Sequence, residues 1–166
     1  MGYYVRTFNR WFDLPFALGL FRSPVTRRLM FDDLPAVFSF CLSRKYEAKF
    51  ICIREKESEK EKVSMATFSR GKGNEYWFSG AIVERYYNSG IGVYACIAML
   101  DNFFRSHPDC VIRSGVFTEN TRSLKMLLKV GFEQVEKSDD GFRLRLTGDA
   151  FRNDFVEHLK HRYDIH

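Results

Sequence analysis

No apolar run in this sequence approaches the ~20 residues that a membrane-crossing helix needs. No basic-then-apolar leader with a small-residue cleavage site opens it, so neither a membrane span nor secretion is expected. Cysteine is scarce and scattered: Cys41, Cys52, Cys96 and Cys110 never form a CxxC pair. A zinc ribbon and a disulfide scaffold are thereby disfavoured, and reduced thiols in a cytoplasmic protein are the simplest expectation. Internal repeats and low-complexity linkers are absent, as is any block of like charge. The densest charged run, Arg54 to Lys62 (REKESEKEK), alternates in sign and nearly cancels. It suits a solvated hairpin end. A nucleic-acid groove would gather one sign on one face. The net charge of +5 suits a small polyanionic ligand as well as it suits a nucleic acid, and nucleic acid is not expected as a partner.

What remains is an ordinary globular composition. At 166 residues, with 45% hydrophobic residues and 17 Phe, the chain has the size of one domain with a bulky core. Its first 22 residues are aromatic and irregular in pattern, and Pro15 is expected to interrupt any helix there. Val25 to Leu29 has the look of a short strand. Asp32 and Asp33 stand where an N-cap and first-turn carboxylates belong, opening a helix whose one-sided apolar face carries Leu34, Val37, Phe38 and Cys41.

Three strand-like runs follow, Lys49 to Arg54, Val63 to Ser69 and Glu75 to Val83, with turns between them, and predict an antiparallel meander. Gly92 to Arg105 is apolar almost all round, the mark of a largely buried helix, and stops before Pro108. Cys110 to Phe117 reads as a strand. Thr121 to Val130 reads as a helix closed by Gly131 as a left-handed cap. Phe132 to Glu136 and Phe142 to Leu146 flank a hairpin turn at Ser138–Gly141. Residues 149–163 have the periodicity of a final amphipathic helix. His158 and His161 share one face of it, but no third ligand accompanies them, so no metal is expected.

The segment before the buried helix is the most informative. Glu84–Arg85–Tyr86–Tyr87–Asn88–Ser89–Gly90–Ile91–Gly92 brings small residues to a helix start, where unpaired N–H groups and the positive dipole end favour phosphate. A plain glycine turn into a helix has the same appearance. Gly90–Ile91–Gly92–Val93–Tyr94–Ala95 also fits a loose dinucleotide fingerprint, GxGxxA. Its context is wrong, because a meander precedes it and several residues separate it from its strand.

Taken in order, three pieces resemble the GNAT N-acetyltransferase superfamily, over residues 23–147. Asn88–Gly92 is similar to the acetyl-CoA pyrophosphate loop, with the pattern Q/R-x-x-G-x-G/A. The stretch ENTRSLKMLLKVGFE, with Asn120, Ser123 and Gly131–Phe132, is similar to the N-x-x-(A/S)…G-F element. Thr26 to Val37 is similar to the first strand and helix opening. The resemblance implies an α/β (α+β) fold, with a twisted mixed sheet of about seven strands flanked by helices, preceded by the arm 1–22 and followed by an extra C-terminal helix over 148–166. It also implies acetyl-CoA as co-substrate, lying between a splayed fourth and fifth strand. Ile82 and Val83 would pair with its pantetheine, and Asn88, Ser89, Gly90, Ile91, Gly92 and Val93 would cradle its pyrophosphate. Asn120 would bond the arm, with Ser123 close by, though both are also ordinary helix-capping residues.

Two positions depart from the pattern. Tyr87 stands where Gln or Arg is usual, and Leu127 stands where many relatives carry a proton-donating tyrosine. The leucine resembles the branch of ribosomal-protein N-terminal acetyltransferases. Transfer to an amine needs proton removal, an oxyanion donor and close positioning. The candidates are Glu75 as base, Ser79 to order a water and the Val83 amide as oxyanion donor. Glu75 reads equally as an exposed strand-end carboxylate, and Ser79 as a plain strand serine. The expected function is therefore acetyl transfer to a primary amine, on a small molecule or a protein N-terminus. A degenerate domain that binds coenzyme A or a partner without catalysis is the alternative. The aromatic arm has four conceivable uses: packing on the core, covering the acceptor, forming a homodimer surface or lying on a membrane.

Overall fold

The computed structural model describes residues 2–30, 43, 46–56 and 59–153. Strand β1 (Gly2–Thr7) leads into helices α1 (Arg10–Arg22) and α2 (Pro24–Met30). The strands β2 (Tyr46–Lys56), β3 (Glu59–Arg70) and β4 (Glu75–Ile82) follow. Helix α3 (Ile91–Ser106), strand β5 (Val111–Phe117) and helix α4 (Thr121–Lys129) come next. The described chain ends with β6 (Glu133–Lys137), β7 (Gly141–Thr147) and the short α5 (Gly148–Arg152). The strands form one seven-stranded sheet in the order β1-β2-β3-β4-β5-β7-β6. All its pairings are antiparallel except β4 with β5.

The mixed sheet flanked by helices is as expected, and so is the meander. The alternating charges of the Arg54–Lys62 run have a structural reason. Arg54 stands opposite Glu61 and Glu55 opposite Lys60, so these charges meet their opposites across the hairpin. Gly131 adopts the expected positive φ of 101° after α4.

Two expectations near the N-terminus are corrected. Residues 2–22 are regular, forming β1 and α1, and Pro15 lies inside the helix. A proline in a helix interior costs ~3 kcal/mol. The offset comes from burial of Ala17, Leu20 and Phe21 against Ile51, Ile53 and Met65, at ~1.5–3 kcal/mol for each large side chain. The arm is thus packed on the sheet, except that Trp11 and Phe12 stay 75% and 73% exposed. Val25 to Leu29 is not a strand but part of α2. Ser23 Oγ accepts the Thr26 N–H at 3.2 Å, and Pro24 takes the first helical position, which its ring geometry favours. The helix expected from Asp32 onward, Cys41, and His158 and His161 lie outside the described residues, and of the final amphipathic helix only Gly148–Arg152 lies within them.

Helix α1 packs on one face of the sheet. On the other, α3 and α4 close the main core, with Phe68 stacked on Phe103 at 4.0 Å between ring centroids and Ile97, Leu100, Leu144 and Leu146 buried around them.

Candidate active site

Strands β4 and β5 pair over only three residues, Glu75–Trp77 with Val111–Arg113. Beyond Trp77 they part. The gap is where the chain leaves hydrogen-bonding groups of a central strand without a strand partner, and the β3–β4 register decides which ones. Val83 N–H donates to the Val63 carbonyl at 2.9 Å. Alternate residues of an antiparallel strand turn their N–H and C=O to the same neighbour. Ala81 and Ser79 therefore also address β3, while Phe78, Gly80 and Ile82 turn theirs into the gap. Ser114, buried on β5, confirms the parity from the far side, since its Oγ donates to the Phe78 carbonyl at 3.2 Å. The Val83 amide is occupied, which corrects its assignment as oxyanion donor and as a pantetheine partner. Ile82 keeps the free edge.

A cavity of about 830 Å³ runs through this gap. On one face of the sheet it is walled by Val93, Cys96 and Met99 of α3, and on the other by Thr26, Tyr46 and Ala81. Its α3 wall is apolar. Burial pushes the Cys96 thiol above its ordinary value, so Cys96 is a neutral wall residue. Leu127, 2% exposed, contributes an alkyl group to the cavity wall, which cannot donate a proton.

At the start of α3 the glycine loop has the expected form. Gly90 caps the helix with φ +85°, a conformation that a side chain strains, and Asn88 has φ +60°. The N–H groups of Gly90 and Gly92 have no partner among the described residues. A Cβ on Gly92 would lie 3.3 Å from Met126 Sδ, so the bare backbone leaves the crevice its width. Asn88, Gly90, Gly92 and Val93 line the cavity, whereas Ser89 and Ile91 do not. Ser89 Oγ donates to the Tyr86 carbonyl at 2.6 Å and accepts the Ile91 N–H at 3.3 Å, which pins the loop from behind.

Across the cavity, Asn120 caps α4, its Oδ1 accepting the Ser123 N–H at 3.2 Å. Both residues line the cavity, and the Asn120 amide nitrogen remains able to donate. Three residues that the sequence reading passed over stand beside them: Arg122, Lys125 and Lys129. Their spacing of three, then four, on one helix face was readable. Unreadable was the stacking of the Arg122 guanidinium 3.6 Å above the ring of Tyr87, 35 positions earlier, with Tyr87 Oη 3.2 Å from Thr26 Oγ1. The aromatic departure at 87 thus holds a cation beside the loop. Among the described residues that line the cavity none is acidic, so its charged rim suits an anion.

Glu75 does not belong to this arrangement. It lies at the paired end of β4, outside the cavity lining, and accepts from Arg113 Nη2 at 2.6 Å. That hydrogen bond holds its carboxyl below the ordinary value, which weakens it as a base. Ser79 does line the cavity, exposed at the gap. No group of three His, Cys, Asp or Glu able to hold a metal occurs among the described residues. Among the same residues, no helix is long and apolar enough to cross a membrane.

No protein-family model matches the chain, and no curated protein does. Solved structures match it over nearly their whole length. A domain from Methanocaldococcus jannaschii superposes with a TM-score of 0.74 at 14% identity, covering 87% of this chain and 97% of that one. The aminoglycoside acetyltransferase AAC(6')-Ib in complex with coenzyme A gives 0.72 at 15% identity, covering 92% and 99%. A variant of the spermidine N-acetyltransferase SpeG from Vibrio cholerae gives 0.69 at 17%, covering 91% and 96%. At such identities the likeness establishes the fold, a seven-stranded mixed sheet flanked by helices that this chain shares with acetyltransferases.

Proposed function

We propose that this chain is a GNAT-type N-acyltransferase that moves an acyl group, acetyl in the first instance, from coenzyme A to a primary amine. One observation carries the reading. A single cavity joins the free amides at Gly90 and Gly92 to the opposite face of the sheet, through a gap where a central strand has unpaired backbone groups. The parts fit acetyl-CoA. The helix start and the cations Arg122, Lys125 and Lys129 meet phosphate charge, the apolar wall meets an alkyl arm, and Gly80 and Ile82 offer amide hydrogen bonds to it. One of these two N–H groups takes the role first given to Val83 and faces the carbonyl oxygen that gains charge, while the other pairs with the arm. The two structural neighbours named as acetyltransferases of amines support the chemistry.

In the reaction a nitrogen–carbon bond forms as the carbon–sulfur bond breaks. The amine gives up a proton and the departing sulfur gains one. Glu75 is removed from the first task and Leu127 from the second. Solvent at Ser79, on the open side of the gap, takes the amine proton, and solvent returns one to the departing sulfur. Accordingly, kcat/KM should rise tenfold per pH unit until the amine's own pKa, with no inflection from an enzyme carboxylate. Glu75→Gln should stay within about twofold of the parent. A pH–rate profile of both proteins checks this, and a carboxylate inflection lost in Glu75→Gln would restore Glu75 as base.

The primary test is calorimetric titration with coenzyme A together with thiol release from acetyl-CoA over a panel of amines. The buried Leu127 favours a second reading, a domain that binds coenzyme A without turnover. Binding with no thiol release across the panel would select it. Absence of binding would overturn both.

A further inference from the structure

The acceptor side of the gap carries a cation whose placement bears on what the acceptor is. On the sheet face opposite α3, the strand residues Trp77, Arg113, Gly115, Arg143 and Arg145 lie together, by the registers Trp77–Arg113, Arg113–Arg145 and Gly115–Arg143. Two of the three guanidiniums have carboxylate partners, Arg113 with Glu75 at 2.6 Å and Arg145 with Glu133 at 3.2 Å. Arg143 has none within 4.0 Å among the described residues, although Glu136 is its cross-strand neighbour on β6. Its guanidinium instead extends over β5 onto the ring of Trp77, 5.6 Å from the centroid.

That path exists because β5 carries a glycine there. A Cβ on Gly115 would stand 3.3 Å from Arg143 Nη1. Gly115 itself lines the cavity, as do Ser79 and Ser114, the residues that bound the gap on β4 and β5. A guanidinium with no carboxylate partner among the described residues is therefore held on an aromatic face just behind Gly115, so that Arg143 and Trp77 stand outside the cavity lining but next to the strand residue that forms its edge. The described lining on this side combines the hydroxyls of Thr26, Tyr46, Ser69 and Ser79 with the apolar Met65 and Ala81, and none of it is acidic. Such a wall offers a polycation no counter-charge, and Arg143 beside it adds a like charge. It suits an amine with an anionic group at its other end, which the planar fork of Arg143 binds through two hydrogen bonds.

Resting on the acyl-transfer reading, we propose that the acceptor is a primary amine bearing a carboxylate or phosphate, and that Arg143, braced on Trp77 across Gly115, binds that anion. This sets the chain apart from the two neighbours named for aminoglycosides and spermidine, which are polycations.

The test uses the full chain with acetyl-CoA and amines on one four-carbon skeleton: 4-aminobutyrate, butylamine and 1,4-diaminobutane. Glycine and 6-aminohexanoate vary the reach of the carboxylate, and 2-aminoethyl phosphate against ethanolamine forms the phosphate arm. At least one anionic amine should exceed its uncharged counterpart tenfold or more in kcat/KM, with the diamine poorest. The arm that shows the larger ratio identifies the anion. Arg143→Gln should shrink that ratio at least tenfold through KM, and Arg143→Lys should restore part of it. Coenzyme A titration and circular dichroism of each variant establish that the fold and the first substrate site are intact. Equal rates for the anionic and uncharged amines, preference for the diamine, or a ratio unchanged in Arg143→Gln would overturn this inference and leave acyl transfer standing. Coenzyme A binding with no acetylation of any amine would instead remove the acyl-transfer reading, and this inference with it.

Discussion

Replacing Gly90 with valine is expected to weaken coenzyme A binding about 100-fold or more. At φ +85° a β-branched residue is badly strained, at a cost of order 1–3 kcal/mol, so the loop must change conformation to accept it. The change turns away the Gly90 and Gly92 N–H groups at the helix start, which on the proposed reading receive the pyrophosphate. Strain and lost hydrogen bonds together account for the ~2.7 kcal/mol that a 100-fold loss represents. Gly73 provides the control. It has φ +59° in the β3–β4 turn, lines no part of the cavity and has open space around its Cβ direction. Gly73→Val should cost comparable stability and leave coenzyme A affinity within about twofold. Calorimetric titration of the two variants separates a phosphate loop from an ordinary glycine turn. Equal affinities would remove the loop from the site.

The second large effect concerns stability. Asp13 is fully buried in α1, yet it is charged, because it accepts from Arg6 Nη1 and Nη2 at 2.6 and 2.7 Å, from Lys62 Nζ at 2.7 Å and from the Asn9 N–H at 2.7 Å. Burial pushes its carboxyl up, but these hydrogen bonds outweigh burial and bring it down to about 2. The group ties β1, α1 and β3 into one unit. Asp13→Ala removes the anion and leaves two cations facing each other. Because Arg6 and Lys62 are each about one-third exposed and rehydrate in part, the cost falls below the 3–5 kcal/mol of a fully buried broken pair, at roughly 2–3 kcal/mol. For a chain of this size that lowers Tm by about 5–10 °C.

The pH dependence follows from the same carboxylate. Its folded-state pKa lies below the unfolded value of 3.8, so the folded state binds fewer protons. The stabilisation is present in full above pH 3.8 or so and is lost as the pH falls toward about 2. By linkage this is worth roughly 2 kcal/mol. Urea unfolding of the parent and Asp13→Ala at about pH 7 and about pH 2.5 should show a difference that shrinks with acidity. A difference independent of pH would mean that packing, not charge, makes Asp13 matter.

Local signals determined much of this protein before any coordinates. The meander, the buried helix with its terminating proline, the left-handed cap at Gly131 and the glycine-rich entry to α3 follow from periodicity and backbone conformation, which depend on neighbours in sequence. The element order, with Asn120 and the GF pair in place, pointed to the fold. The failures lie where distant segments meet. Pro15 sits in a helix because Ile51, Ile53 and Met65 bury the face behind it. Ser23 and Pro24 have the chemistry of a helix start, and α2 rather than the expected strand follows them.

Tertiary structure alone decided which residues meet at the candidate site. Whether Val83 or Ile82 faces the gap depends on the β3–β4 register, and a shift of one residue reverses it. Glu75 is engaged by an arginine 38 positions later, and Tyr87 stacks beneath Arg122 at the cavity edge. The bare backbone of Gly115 became informative once Arg143 was seen to lie across it. Each of these is a relation between residues far apart in sequence, set by strand pairing or, for Tyr87 and Arg122, by the packing of a helix beside a loop, and no pattern within a short window encodes it.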